Sequence, residues 1–343
     1  MNRYPFGFAA FIAAGLLAAG ASAAQICSLG SAGPGQAGAL ICKDTATGAT
    51  IQSVDIGRTA VGSGGTGGSL THRGGRVLVT NVVGGALLFK EAGGLLKSPV
   101  ALQTNGQSGL SGALSDSGAY VVTGTRLLFF PFGSDQASSS QRLLSADGSA
   151  AQVALAGGFA YVSEKNGSLE AFPLADDGNL AGSASPVAGI PAGVIVGITA
   201  LLDLVVAPVA HLASNPNQAA IPVASGGEAI QLVETKEVAA CWAAHHDREV
   251  CITNPGSMTI SCGQFGPGGF TSYTSAAAHP AGEAVLDLDM SRDTVGVLAT
   301  HNGAPVLLTY ARSQDNGDFL TFTNEIPLGT AKGSGAMLLP AAK

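Results

Sequence analysis

Few side chains in this 343-residue chain can move a proton or hold a charge, since only 11% of its residues are charged. Glu164 and Lys165 stand just ahead of an Asn166-Gly167 pair, where a loop carboxyl could act as general acid or base and a solvated hairpin end is the plainer role. His211, in the apolar stretch APVAHLASNPNQAA, is the second candidate acid-base residue, against the reading of a solvated loop histidine. His72 and Arg73 follow the run GGTGGSL (Gly64 to Leu70) and could hold an anion together. That run lacks the Gly-Lys-Ser/Thr ending of a phosphate loop, so its glycines are read as tight strand packing. Asp287 and Asp289 in VLDLD alternate onto one strand face, where they would pair as carboxylates, bind a cation or cap a turn. His245-His246-Asp247 looks like a metal cluster, but neighbours in a strand point to opposite faces, so it reads as a hairpin turn. No metal and no cofactor is expected.

Five cysteines leave at least one unpaired. Cys27 and Cys42 flank a glycine-rich turn and could staple a first hairpin. Cys251 can reach Cys262 across Asn254-Pro255-Gly256-Ser257, or Cys241 across His245 to Arg248. Cys241 precedes Trp242 at the start of an apolar run and reads as a buried thiol, which favours the bridge to Cys262.

The elements that would position these groups are legible from Ala151 to Leu180. Three short apolar runs there are separated by Gly157-Gly158, Asn166-Gly167 and Asp176-Asp177-Gly178, the punctuation of an antiparallel meander. Asn166-Gly167 predicts a type I′ turn, and strands are expected near 151–156, 159–164, 168–174 and 179–185. Weaker copies stand at Gly74 to Leu96, Gly109 to Phe132, Gly189 to Leu232, Val238 to Ser261 and Ala284 to Tyr310. Repeats of this length predict an all-β, seven-bladed β-propeller of four-stranded blades. The seventh blade would close the ring from both ends, with Ala336 to Pro340 beside ALICK and IQSVDI.

Met1 to Ala24 has an early arginine, a short apolar core and small residues at its end, so residues 1–24 are read as a secretory signal peptide and 25–343 as a single propeller domain. The product is then expected to be a secreted monomer, extracellular or, in a bacterium, periplasmic, with Asn166-Gly167-Ser168 a glycosylation sequon in a eukaryotic pathway. The formal charge of -7 argues against a nucleic-acid partner, and no second segment has membrane-spanning length.

With GGTGGSL, VSEKNGSLEAFPLADDGNL, AACW followed by ITNPGSMTIS, and LDLDMSRD with a distant Asn-Gly-Asp, the chain resembles the lactonase-like seven-bladed propellers. That family includes 6-phosphogluconolactonases and fungal 3-carboxymuconate cyclases. The resemblance implies a small carboxylated lactone, or its open-chain acid, held at one channel mouth and turned over by acid-base chemistry. It places only Glu164 on a family position, the blade-three glutamate; by their place in the sequence His211 is the other catalytic candidate and His72 and Arg73 are the substrate-binding pair. Pro191-Ala192-Gly193 departs from the family's proline-phenylalanine-glycine element, and Arg126, Arg248, Arg292 and Arg312 match no carboxylate-binding position. The alternative is a non-enzymatic secreted module that uses its loops to bind an extracellular protein.

Overall fold

Short runs of β-branched, aromatic and small residues between glycine turns can satisfy their backbone groups only by pairing with one another, and here they do so throughout. The computed structural model describes residues 25–59, 68–215, 217–266, 269–277, 284–312 and 320–340. The leader-like segment 1–24, Gly64 to Gly67 and the Asn316-Gly317-Asp318 triplet lie outside the described residues. Among the described residues every regular element is a strand. Seven antiparallel sheets surround a channel, and their innermost strands are Leu70–Arg73, Ser111–Leu114, Ala150–Ala156, Thr199–Leu201, Trp242–His246, Ala284–Met290 and Lys332–Leu339. We number the blades one to seven in that order.

Blade three follows the sequence pattern in its first three strands, whereas the fourth, expected over 179–185, begins only at Ser185. Its strands are Ala150–Ala156, Phe159–Glu164, Leu169–Pro173 and the brief outer strand Ser185–Pro186. The Asn166-Gly167 turn, however, is not of type I′. Gly167 alone has positive φ, at 95°, and its N–H donates to the Glu164 carbonyl at 2.9 Å. Paired positive φ values occur instead at Gly157-Gly158 (55° and 77°) and Asn302-Gly303 (50° and 80°). Gly167 cannot be replaced cheaply, because a Cβ there would lie 2.4 Å from the Gly193 carbonyl oxygen of the next blade.

Ring closure uses both ends of the chain. The sheet order is Thr50–Arg58, Ala37–Asp44, Gln25–Ser31, Lys332–Leu339, so the last strand takes the channel side. The expected partners ALICK and IQSVDI are in this sheet, but Gln25–Ser31 intervenes, with Ile26 opposite Leu338 and Cys27 opposite Met337. All seven residues of Gln25–Ser31 are buried. Cys27 and Cys42 stand directly opposite each other and are bridged, as are Cys251 and Cys262. Each bridge closes a loop of 15 or 11 residues, a constraint worth roughly 3 kcal/mol at this length. Cys241 is a buried free thiol, and burial pushes its pKa up to about 12.

Blade four is the irregular one. Its second strand breaks into Leu204–Val206 and Val209–Ala210 around Pro208, which has no N–H to give the ladder. The Ala207 N–H bonds the Pro222 carbonyl across the gap at 3.1 Å, and Val194–Ile195 pairs with Val209–Ala210 as an added short strand. The core is distributed in the wedges between blades. Ile26 and Ile41 of blade seven, for example, share one cluster with Leu298 and Leu307 of blade six.

Candidate functional site in the central channel

The inner strands enclose a cavity of about 720 Å³ to which every blade contributes. Residues at the last positions of those strands, and in the turns after them, form its mouth. Arg73, His72, His245, His246 and Arg292 supply positive or proton-accepting groups, with Asp293 beside them, while Gln152, Thr199, Asp287 and Asp289 lie among the lining residues further along the strands.

The two aspartates alternate on the inner strand of blade six, where a bulge between Val285 and Leu288 shifts the register. Both line the cavity, as one of the readings of VLDLD allowed. Neither is free to swing. Asp287 accepts its neighbour Leu288 N–H at 3.0 Å and the N–H groups of Gly68 and Ala336. Asp289 accepts Leu338 N–H at 2.7 Å and Met290 N–H at 2.8 Å. The carboxylates thus tie blade six to the closing strand and to the chain entering blade one. Burial pushes Asp287 up to about 7, against the pull of these N–H groups and with a smaller upward push from Asp289. Burial likewise raises Asp289 to about 6. Such groups change protonation in the range where acid-base catalysis is most efficient.

The histidines differ from one another. His245 and His246 are the last two residues of the inner strand of blade five, and the turn is confined to Asp247 and Arg248, not to His245-His246-Asp247. The Nδ1 of His245 lies 2.9 Å from Thr199 Oγ1. Burial, and then the neighbouring His246, hold its pKa below the ordinary histidine range. His72 places Nε2 3.8 Å from Glu91 Oε2, and burial lowers its pKa although the Glu91 charge opposes this. Arg73 pairs with Asp116 at 3.0 Å on the open surface.

Of the residues singled out in the sequence, His72 and Arg73 line the cavity and Glu164 and His211 do not. Glu164 pairs with Ala150, the first residue of the inner strand of blade three, whereas Arg73 is the last residue of that of blade one. Because the blades repeat one up-and-down path, these residues lie on opposite faces of the ring. His211 follows Ala210, which pairs with Val194 ahead of the inner strand of blade four, and so shares the face of Glu164. For Glu164 the expectation of a loop carboxyl is corrected: it ends a strand and is fully buried in blade three, one oxygen bonded by Ser149 Oγ at 2.7 Å and the other without a partner among the described residues, while His211 is exposed in a loop. Arg292, which matched no carboxylate-binding position in the sequence, joins the mouth. Sequence reasoning also missed Gln152 and Thr199, which carry no local signal.

No family model and no curated protein sequence matches the chain. Solved structures do. A candidate 6-phosphogluconolactonase from Bacteroides fragilis superposes with a TM-score of 0.60 at 14% identity, covering 93% of this chain and 98% of its own. One from Bacteroides uniformis gives 0.59 at 15% identity over 92% and 99%. The computationally designed Ika8 protein gives 0.59 at 13% over 92% and 90%. At such identities the likeness establishes the shared propeller fold.

Proposed function

We propose that this chain is an exported lactonase-like enzyme that opens, or in reverse closes, a small carboxylated lactone in the central channel. The observation that carries the reading is one cavity combining cations at its mouth, Arg73 and Arg292, with two carboxyl groups whose pKa values lie at about 6 and 7. In the hydrolytic direction the ionised aspartate takes a proton from water as its oxygen attacks the lactone carbonyl. The protonated aspartate then gives its proton to the departing ring oxygen, yielding a hydroxy acid. The pair titrates as a unit, with Asp289 assigned the base and Asp287 the acid because burial weighs more heavily on Asp287. Arg73 and Arg292 hold the substrate carboxylate by charge-assisted hydrogen bonds.

Export is supported by the two disulfides and by the leader-like residues 1–24. The competing view, a binding module with no reaction, draws on the backbone bonds that already engage both aspartates. Initial rates on a panel of carboxylated lactones, followed by pH-stat, separate the two. The enzyme reading expects a bell-shaped profile with flanks near pH 6 and 7, lost in Asp289→Asn. A folded protein that turns over no member of the panel in either direction sinks it.

A further inference from the structure

Thr199 and His245 come from the inner strands of adjacent blades and both line the channel. Thr199 is only 8% exposed, and among the described residues the contact with His245 Nδ1 is the one hydrogen bond its hydroxyl makes. That single bond decides where the imidazole proton sits. If Nδ1–H donated to the hydroxyl oxygen, the nearly buried hydroxyl would be left with no protein acceptor for its own hydrogen among the described residues, and a buried donor left unpaired costs about 1–3 kcal/mol. If the hydroxyl donates to a bare Nδ1, both groups are satisfied and the hydrogen belongs on Nε2. No protein group among the described residues bonds Nε2, and it is not among the sealed polar atoms. Nε2 therefore keeps some exposure, on a residue that lines the cavity.

We propose that Thr199 is a positioning residue that fixes His245 as its neutral Nε2–H tautomer, giving the channel a hydrogen-bond donor for a carbonyl oxygen of the bound ligand. The proposal rests on the reading of the channel as a lactone site and deepens it. As water adds to a lactone carbonyl, negative charge gathers on that oxygen, and a donor already in place stabilises it without reorganisation. The division of labour is then clear: the aspartates exchange protons, and His245 donates without changing charge.

The test uses the whole exported chain labelled with nitrogen-15 histidine, the His245 signals being assigned from His245→Gln, and paraconic acid, a γ-lactone carrying one carboxylate, as the probe. At pH 7 the parent protein should show an unprotonated Nδ1 and a protonated Nε2 at His245, with the Nε2 signal moving when paraconic acid is added. Thr199→Val, similar in shape but lacking the hydroxyl, should give mixed tautomers and a kcat lower by roughly tenfold or more with KM little changed. Thr199→Ser should restore both. A proton on Nδ1 in the parent, a doubly protonated ring at pH 7, or an unchanged tautomer in Thr199→Val overturns the proposal. The tautomer is read without turnover, so a chain that hydrolyses no lactone yet shows Nε2–H and the probe shift refutes the lactonase reading and leaves the donor standing.

Discussion

Two carboxyl groups in this ring are pushed to about 7 by burial, Asp287 in blade six and Glu164 in blade three. Asp287 borders a 720 Å³ channel and is held by N–H groups from three segments of chain. Glu164 is 0% exposed, takes one hydroxyl bond from Ser149, and feels the like charges of Glu170 and Asp147. Both are perturbed for the same physical reason, and only one stands where a ligand could meet it. A displaced pKa marks a buried group; it takes a cavity and converging partners to make a candidate site.

The strongest way to separate the two regions is to remove the segment that only one of them uses. Deleting Lys332 to Lys343 takes away the N–H donors of Ala336 and Leu338 together with the inner strand of blade seven. Met337, Leu338 and Leu339 are each at most 7% exposed, and burying such side chains contributes about 1.5–3 kcal/mol apiece. Their sum approaches the entire stability of an ordinary domain, about 5–15 kcal/mol. The truncated chain is expected to lose its cooperative melting transition by calorimetry; a truncated protein that melts like the parent would show that closure does not depend on this strand.

Next in size is the effect on turnover. Asp287→Asn keeps the shape of the side chain but removes the titrating group, and kcat on the best carboxylated lactone should fall roughly a hundredfold or more. Glu164→Gln, the change that a match to the family's glutamate would make damaging, should stay within about threefold, because Glu164 does not line the channel cavity. If the two variants exchange these outcomes, the chemistry lies on the other face of the ring, and the channel reading falls with it.

The same pair of groups predicts how stability follows pH. Asp287, Asp289 and Glu164 are raised to about 7, 6 and 7. Their contribution is fully present below their unfolded pKa values near 4 and is lost as pH rises through about 6 to 7. His72 and His245 are held low and act in the opposite sense, their contribution fully present above the unfolded value near 6.5 and lost as pH falls below it. Melting curves of Asp287→Asn and Glu164→Gln at pH 5 and pH 8, each compared with the parent, isolate the carboxyl part. Each variant should gain on the parent by a few degrees at pH 8 relative to pH 5. A variant that tracks the parent at both pH values would mean that its carboxyl is not strained by burial.

How much of this could be read in the sequence depends on the range of the signal. Blade three was legible because Gly157-Gly158 and Asp176-Asp177-Gly178 punctuate short apolar runs locally, and the Cys251–Cys262 bridge because its partners face each other across one hairpin. Asp287 and Asp289 announced a shared face through simple alternation, although the bulge that shapes it was invisible. The channel itself was not legible. It gathers Arg73, Gln152, Thr199, His245 and Asp287 from five blades, and ring closure, not local spacing, brings them together. Gln25–Ser31 was legible as an arm of the stapled hairpin but not as the neighbour of the closing strand, because QICSLGS is a modest strand sequence whose complete burial is imposed by the strands on either side of it.

The smallest expected effect is at the rim, where Arg73 already has a partner. Its Nε lies 3.0 Å from Asp116 Oδ1, with the two side chains 54% and 90% exposed. Exposed pairs of this kind contribute only about 0–1 kcal/mol, and salt weakens them further. Removing Asp116 therefore costs little stability and releases the guanidinium for a substrate carboxylate. Asp116→Ala should lower KM for a carboxylated lactone by about twofold at low salt, and Arg73→Ala should raise it by a few fold, kcat being unchanged in both. Both shifts should shrink as ionic strength rises toward 0.5 M, where the screening length is only about 4 Å. A lactone without a carboxylate should feel neither substitution. If it responds as strongly as the carboxylated one, Arg73 is acting on the shape of the mouth and not on the charge of the ligand.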